Sequence, residues 1–127
     1  MPVLALDQWL EKLREEQPFV IVEGPKDRES LNKLGITDVI TLRGKPLFKV
    51  VERTASLTDE VVILTDLDEE GKKIYGRLKA DLQKHGVRID DRFRHFLFKE
   101  TDLRQVEGLF RYAQRAASPR PRAARTA

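Results

Sequence analysis

The chain has 127 residues, 40% of them hydrophobic and 35% charged, with a formal net charge of +3 and no cysteine. That length suits one domain around one buried core, and the lack of cysteine excludes disulfides and thiolate metal sites. No apolar run approaches the ~20 residues that cross a bilayer, and the opening MPVLALDQWLEK lacks the basic n-region of a signal peptide, so a cytoplasmic protein without a membrane partner is expected.

Residues 3–16 place Leu6, Trp9, Leu10 and Leu13 on one face at helical spacing, and Gln17-Pro18 ends that helix. Phe19-Val20-Ile21-Val22 is a short apolar run of strand type, followed at once by Glu23-Gly24-Pro25-Lys26-Asp27. Residues 27–34 read as a helix that stops at Gly35. Val39 to Leu42 is a second strand, closed by Arg43-Gly44, and a helix is expected around Leu47 to Thr54. Val61 to Leu64 is the third strand. A long amphipathic helix follows from Glu69 to His85, with Ile74, Leu78 and Leu82 inward and Gly86 as its stop. Val87-Arg88-Ile89 is a short fourth strand, and residues 91–98 and 102–116 are two further helices.

The last ten residues, SPRPRAARTA, carry Arg120, Arg122 and Arg125 and no acid, which accounts for the whole formal +3. The division expected is a single domain over residues 1–117, with core motifs at 18–90, and a basic disordered tail at 118–127. That tail either adds weak, salt-sensitive attraction to phosphates or serves only as a solubilising terminus.

Strands and helices alternate, and the strands are unbroken apolar runs of the kind buried on both faces. This pattern argues for an α/β fold with a mostly parallel four-stranded sheet flanked by helices. Right-handed crossovers then bring every strand's carboxyl end to one edge, where ligands bind in such sheets. Glu23 follows the first strand, and Asp66 and Asp68 follow the third. If those strands are neighbours, the three carboxylates meet. Acids so close raise one another's pKa unless a cation relieves them. An all-oxygen set without His or Cys favours Mg²⁺, with Mn²⁺ as the other candidate. The alternative is that Asp66 or Asp68 caps the helix that begins near Glu69, where acids also favour the helix dipole.

These two segments, VIVEGPKD and VVILTDLDEEG, with 43 positions from Glu23 to Asp66, resemble the paired signatures of the toprim domain. The resemblance covers about residues 18–90 and implies a Rossmann-like toprim fold. The overall length is similar to that of small stand-alone toprim proteins and of the catalytic portion of the ribonuclease that matures 5S ribosomal RNA. By this resemblance Glu23 is a general acid/base or metal ligand in phosphoryl transfer, and Asp66 and Asp68 are the paired aspartates that hold Mg²⁺. Gly24 and Gly71 match the glycines that allow close backbone approach. Asp27 matches the acid after the first motif, or else caps the next helix.

Phosphoryl transfer needs cations near the same edge, and Lys26, Arg28, Arg43, Lys45 and Lys72 are candidates to hold phosphate. Arg43 is the best placed, at the end of the second strand. Tyr75 and Tyr112, both in helical segments, read as packing residues rather than nucleophiles. His85 beside Gly86 is expected to meet the helix end. His95 lies among Arg92, Phe93, Arg94, Phe96, Leu97 and Phe98, a run that reads either as a base-stacking surface for a single strand or, by its helical spacing, as core. Trp9 and its leucines read as core.

Two functions compete. One is a Mg²⁺-dependent toprim nuclease or related phosphotransfer enzyme, catalysed by Glu23, Asp66 and Asp68, with RNA favoured over DNA by the resemblance alone. The other is a non-catalytic toprim module that binds nucleic acid or a protein partner in a repair or RNA-processing complex.

Overall fold

The apolar runs form β1 (Phe19–Val22), β2 (Val39–Thr41), β3 (Glu60–Ile63) and β4 (Arg88–Ile89), which pair in the order β2-β1-β3-β4 with every pair parallel. The computed structural model describes residues 2–117, so the arginine-bearing segment 118–127 lies outside the described residues. Among the described residues the helices are α1 (Pro2–Glu16), α2 (Pro25–Lys33), α3 (Leu47–Leu57), α4 (Glu69–Lys84), α5 (Arg92–Glu100) and α6 (Leu109–Ala117). None of them is long and apolar enough to cross a membrane.

Successive strand residues point to opposite faces, and this splits the interior into two layers. Val20, Val22, Val62 and Leu64 pack with the α1 stripe Leu6, Trp9, Leu10 and Leu13, with Leu31 of α2, and with Phe93 and Leu97 of α5. Ile21, Val61 and Ile63 turn the other way, onto Val50 and Val51 of α3 and Leu78 and Leu82 of α4. The sheet is therefore covered on both faces, as unbroken apolar strands require. The expected inner face of α4 holds, with Leu78 and Leu82 fully buried and Ile74 partly so.

Helix boundaries differ from the sequence expectation, and two of the differences bear on the site. α2 starts at Pro25, two residues before the expected start, because a proline suits the first helical position and Asp27 reaches back to accept the Gly24 N–H at 2.9 Å. The helix expected over 102–116 is broken. Thr101 to Gln105 are irregular, Val106–Gly108 is a 3-10 turn, and α6 begins only at Leu109. Tertiary partners capture the backbone groups that a helix would need. Asp66 Oδ1 accepts the Val106 N–H at 2.8 Å, Arg104 O accepts the Leu67 N–H at 2.8 Å, and Ser30 Oγ accepts the Phe110 N–H at 2.8 Å.

The strand order puts β2 on one side of β1 and β3 on the other. The helices that follow β1 and β3 leave toward opposite faces, since Leu31 of α2 and Leu78 of α4 belong to different layers. The carboxyl ends of β1 and β3 are thus the switch point, where doubly wound sheets bind ligands.

The first turn of α4 closes tightly on the segment after β3. A Cβ on Gly71 would lie 2.1 Å from the Asp66 carbonyl oxygen, which is backbone and cannot move aside. Gly71→Ala should therefore cost about 3 kcal/mol or more, read as a lowered midpoint in urea unfolding, whereas alanine at the open Gly76 on the same helix should stabilise slightly.

Candidate functional site

β1 delivers the chain to Glu23, and β3 delivers it through Leu64 and Thr65 to Asp66. The two strands are paired in register, so residues 43 apart meet: the Asp66 N–H donates to Glu23 Oε2 at 2.9 Å. Asp66 in turn accepts the Val106 N–H through Oδ1. Asp68 is the N-cap of α4, its Oδ1 accepting the Gly71 N–H at 2.7 Å. Of the two aspartates offered as caps, Asp68 is the one that caps this helix. Asp27 is buried and serves its own helix in the reverse sense, as the third helical residue accepting the N–H of the N-cap Gly24. Each of Glu23, Asp66 and Asp68 thus has one oxygen held by a backbone N–H. Their other oxygens, Glu23 Oε1, Asp66 Oδ2 and Asp68 Oδ2, have no hydrogen-bond donor among the described residues.

The rim is electrostatically uncomfortable. Burial raises the Glu23 carboxyl above its ordinary range; the hydrogen bond from Asp66 opposes this, and the charges of Asp66, Asp68 and Asp27 add to it. Asp66 is likewise raised by burial, against the Val106 hydrogen bond, with Asp68 and Glu107 adding and Arg94 opposing. Asp27 is raised by burial first, with Asp66 and Glu107 adding. Glu107 is absent from the sequence reading. The irregular loop before α6 brings it here, and no local motif marks it.

Arg94 stands in the sequence only as part of the run around His95, and its role here is not marked there. Only 9% exposed, it donates through Nη1 to the Thr65 carbonyl and to Thr65 Oγ1, and through Nη2 to the Asp66 carbonyl at 3.3 Å. The Thr65 hydroxyl donates onward to the Gly71 carbonyl at 2.8 Å. One buried guanidinium therefore ties the segment that carries Asp66 to α5. Its spacing of four from Phe98 marks a shared helix face, but nothing local says what that face covers.

The candidate phosphate cations are exposed. Arg43 extends from the end of β2 across Gly24, where its Nη1 lies 3.9 Å from the point a Cβ would occupy. Nothing inside the chain demands glycine at 24, whose backbone is extended at φ −145, unlike Gly71. Lys45 donates to the Thr41 carbonyl at 3.4 Å. Lys26 lines a groove with Lys33 and Arg111 between α2 and α6. Lys26, Arg28, Arg43 and Lys72 have no acid partner among the described residues.

Tyr75 donates its hydroxyl to Asp91, and burial together with that carboxylate pushes the phenol up, away from nucleophilic character. Tyr112 packs against the α1-side layer. His85 meets the helix end through Nδ1, 3.0 Å from the Asp81 carbonyl. Phe93 and Leu97 are core, and Phe96 stacks on Trp9 at 5.8 Å between centroids. His95 is exposed and Phe98 half-buried.

A raised carboxyl binds its proton more readily when folded, so stability falls as pH rises from the ordinary glutamate value of 4.5 through the raised folded value. Glu23→Gln keeps an acceptor for the Asp66 N–H and removes that loss. In metal-free buffer its Tm should exceed the parent's at neutral pH, with the gain vanishing once the pH falls below 4.5; a gain that persists in acid would contradict the burial argument.

Comparison with known proteins agrees with this fold. The Toprim domain family profile matches residues 19–96. A UPF0292 protein of Pyrococcus abyssi is 38% identical over 104 residues, spanning 80% of this chain and 78% of that protein. One from Methanocaldococcus jannaschii is 30% identical over 122 residues, spanning 86% and 95%. A protein of Aquifex aeolicus with a solved structure superposes with a TM-score of 0.74 at 33% identity, covering 80% of this chain and 95% of its own. The zinc-binding and RNA polymerase domains of the Aquifex aeolicus primase share the fold, with a TM-score of 0.52 at 23% identity over 84% of this chain and 27% of that one. On the match to residues 19–96, the chain belongs to the Toprim domain family, whose members generally bind metal and act on nucleic acids.

Proposed function

We propose that the rim hydrolyses phosphodiester bonds in nucleic acid, with RNA the first substrate to test, using Mg²⁺ held by Asp66 and Asp68 beside Glu23 as the general acid/base. The observation that carries this reading is the meeting of Glu23 with Asp66 at the switch point, 2.9 Å apart through the Asp66 N–H.

The donor set fits such an ion. Asp66 and Asp68 each keep one oxygen without a hydrogen-bond donor among the described residues, and no softer ligand stands beside them. Among the described residues no group of three His, Cys, Asp or Glu side chains stands close enough to hold a metal ion alone. Mg²⁺ does not need one, since it usually keeps several waters and takes one or two carboxylates plus substrate phosphate oxygens. When bound it supplies charge neutralisation for the phosphate and a more acidic water.

The chain's own groups do the rest. Glu23 holds its backbone bond through Oε2 and offers Oε1 for proton transfer. In the metal-free site burial raises its carboxyl above the ordinary glutamate range. Arg43, over Gly24, is positioned to bind a phosphate oxygen. Arg94 and the Asp68 cap keep the segment after β3 from shifting.

Labelled single-stranded and structured RNA and DNA, incubated with Mg²⁺, should be cut. Glu23→Gln should slow cleavage by about 10²- to 10⁴-fold, and Asp66→Asn should raise the Mg²⁺ concentration needed for half-maximal rate. Binding without cleavage, unchanged in Glu23→Gln, would instead assign the protein to the non-catalytic modules.

A further inference from the structure

A cavity of about 510 Å³ opens beside the rim, between α4 and α5. Leu67, the residue after Asp66, forms part of its wall, so cavity and rim share one stretch of backbone. The wall is built from flat groups. The Arg94 guanidinium carbon lies 4.5 Å from the Tyr75 ring centroid and 5.1 Å from that of Phe98. Both rings are half-buried, each keeping part of its surface open. His95 and Lys99 stand exposed among the lining residues. The acid in the lining, Asp91, is already engaged by the Tyr75 hydroxyl and by Lys79 at 3.0 Å, so it does not dominate the local charge.

Apolar π surfaces around a fixed cation, with basic side chains outside them, suit a flat heteroaromatic ring joined to a phosphate. The volume falls within the range of about 300–1,000 Å³ common to small-ligand sites. A base inside a duplex keeps its faces stacked on its neighbours and cannot enter; an unpaired base can. We propose that this cavity takes one unpaired base of a nucleic-acid strand whose backbone crosses the carboxylate rim. Part of the Arg92–Lys99 run thus serves as core, through Phe93 and Leu97, and part as stacking surface, through Arg94 and Phe98. The inference rests on the nuclease reading only for the path of the backbone.

Binding measured in EDTA separates the two. Fluorescence anisotropy would follow short labelled single strands of RNA and of DNA, their blunt duplexes, and adenosine 5′-monophosphate as competitor. Phe98→Leu keeps an apolar side chain and removes the ring. Phe98→Trp restores a ring. Tm of each variant reports on folding. The parent should prefer single strands, and Phe98→Leu should weaken single-strand binding roughly 5- to 100-fold while leaving duplex binding unchanged. Phe98→Trp should recover it. Equal loss for strand and duplex, no loss in Phe98→Leu, or no preference in the parent would overturn the proposal. Adenosine monophosphate binding as tightly as the strands would also overturn it, by assigning the cavity to a free nucleotide. Absent cleavage in Mg²⁺ alongside the expected binding would sink the nuclease reading and leave this one standing.

Discussion

Parallel pairing of β1 with β3 is the constraint on which the rest of this structure depends. It sets Val20 against Val62 and Ile21 against Ile63, so the two strands end together and Glu23 faces the Asp66 backbone. A slip of one residue would turn each apolar side chain to the wrong layer. Both faces of the sheet are buried, so such a slip is heavily penalised. The register that protects the core therefore also fixes the spacing of the acids.

That spacing runs against the preferences of the carboxylates. Glu23, Asp27 and Asp66 are all pushed toward their neutral forms by burial and by neighbouring acids. The chain offsets part of this with backbone N–H groups from Gly24, Asp66, Gly71 and Val106. Such donors hold the anions without neutralising them. Local rules broken in this way, inside an otherwise consistent fold, concentrate at functional sites.

Arg94 joins the rim to the neighbouring cavity. Its hydrogen bonds hold the Thr65 and Asp66 carbonyls, and its flat face lies against Tyr75 and Phe98. One side chain therefore positions both the segment that carries an acid and the wall of the cavity. The Val106 and Arg104 contacts brace the same segment from the opposite direction, and they do so by interrupting what would otherwise have been one long last helix.

Much of this was legible in the linear chain. The apolar runs at 19–22 and 61–64, the leucine stripes at 6–13 and 78–82, and the acids at strand ends follow from periodicity and local chemistry, which neighbours in sequence suffice to express. The cap of α4 was legible too, as Asp66 or Asp68, whereas strand order, the arrival of Glu107 and the burial of Arg94 were decided only in three dimensions. Each depends on a backbone N–H or carbonyl supplied by a residue that local spacing does not identify, or on burial created by a distant element. A charged side chain looks the same in a sequence whether water or a buried carbonyl will meet it; only packing of the helices against the sheet settles which.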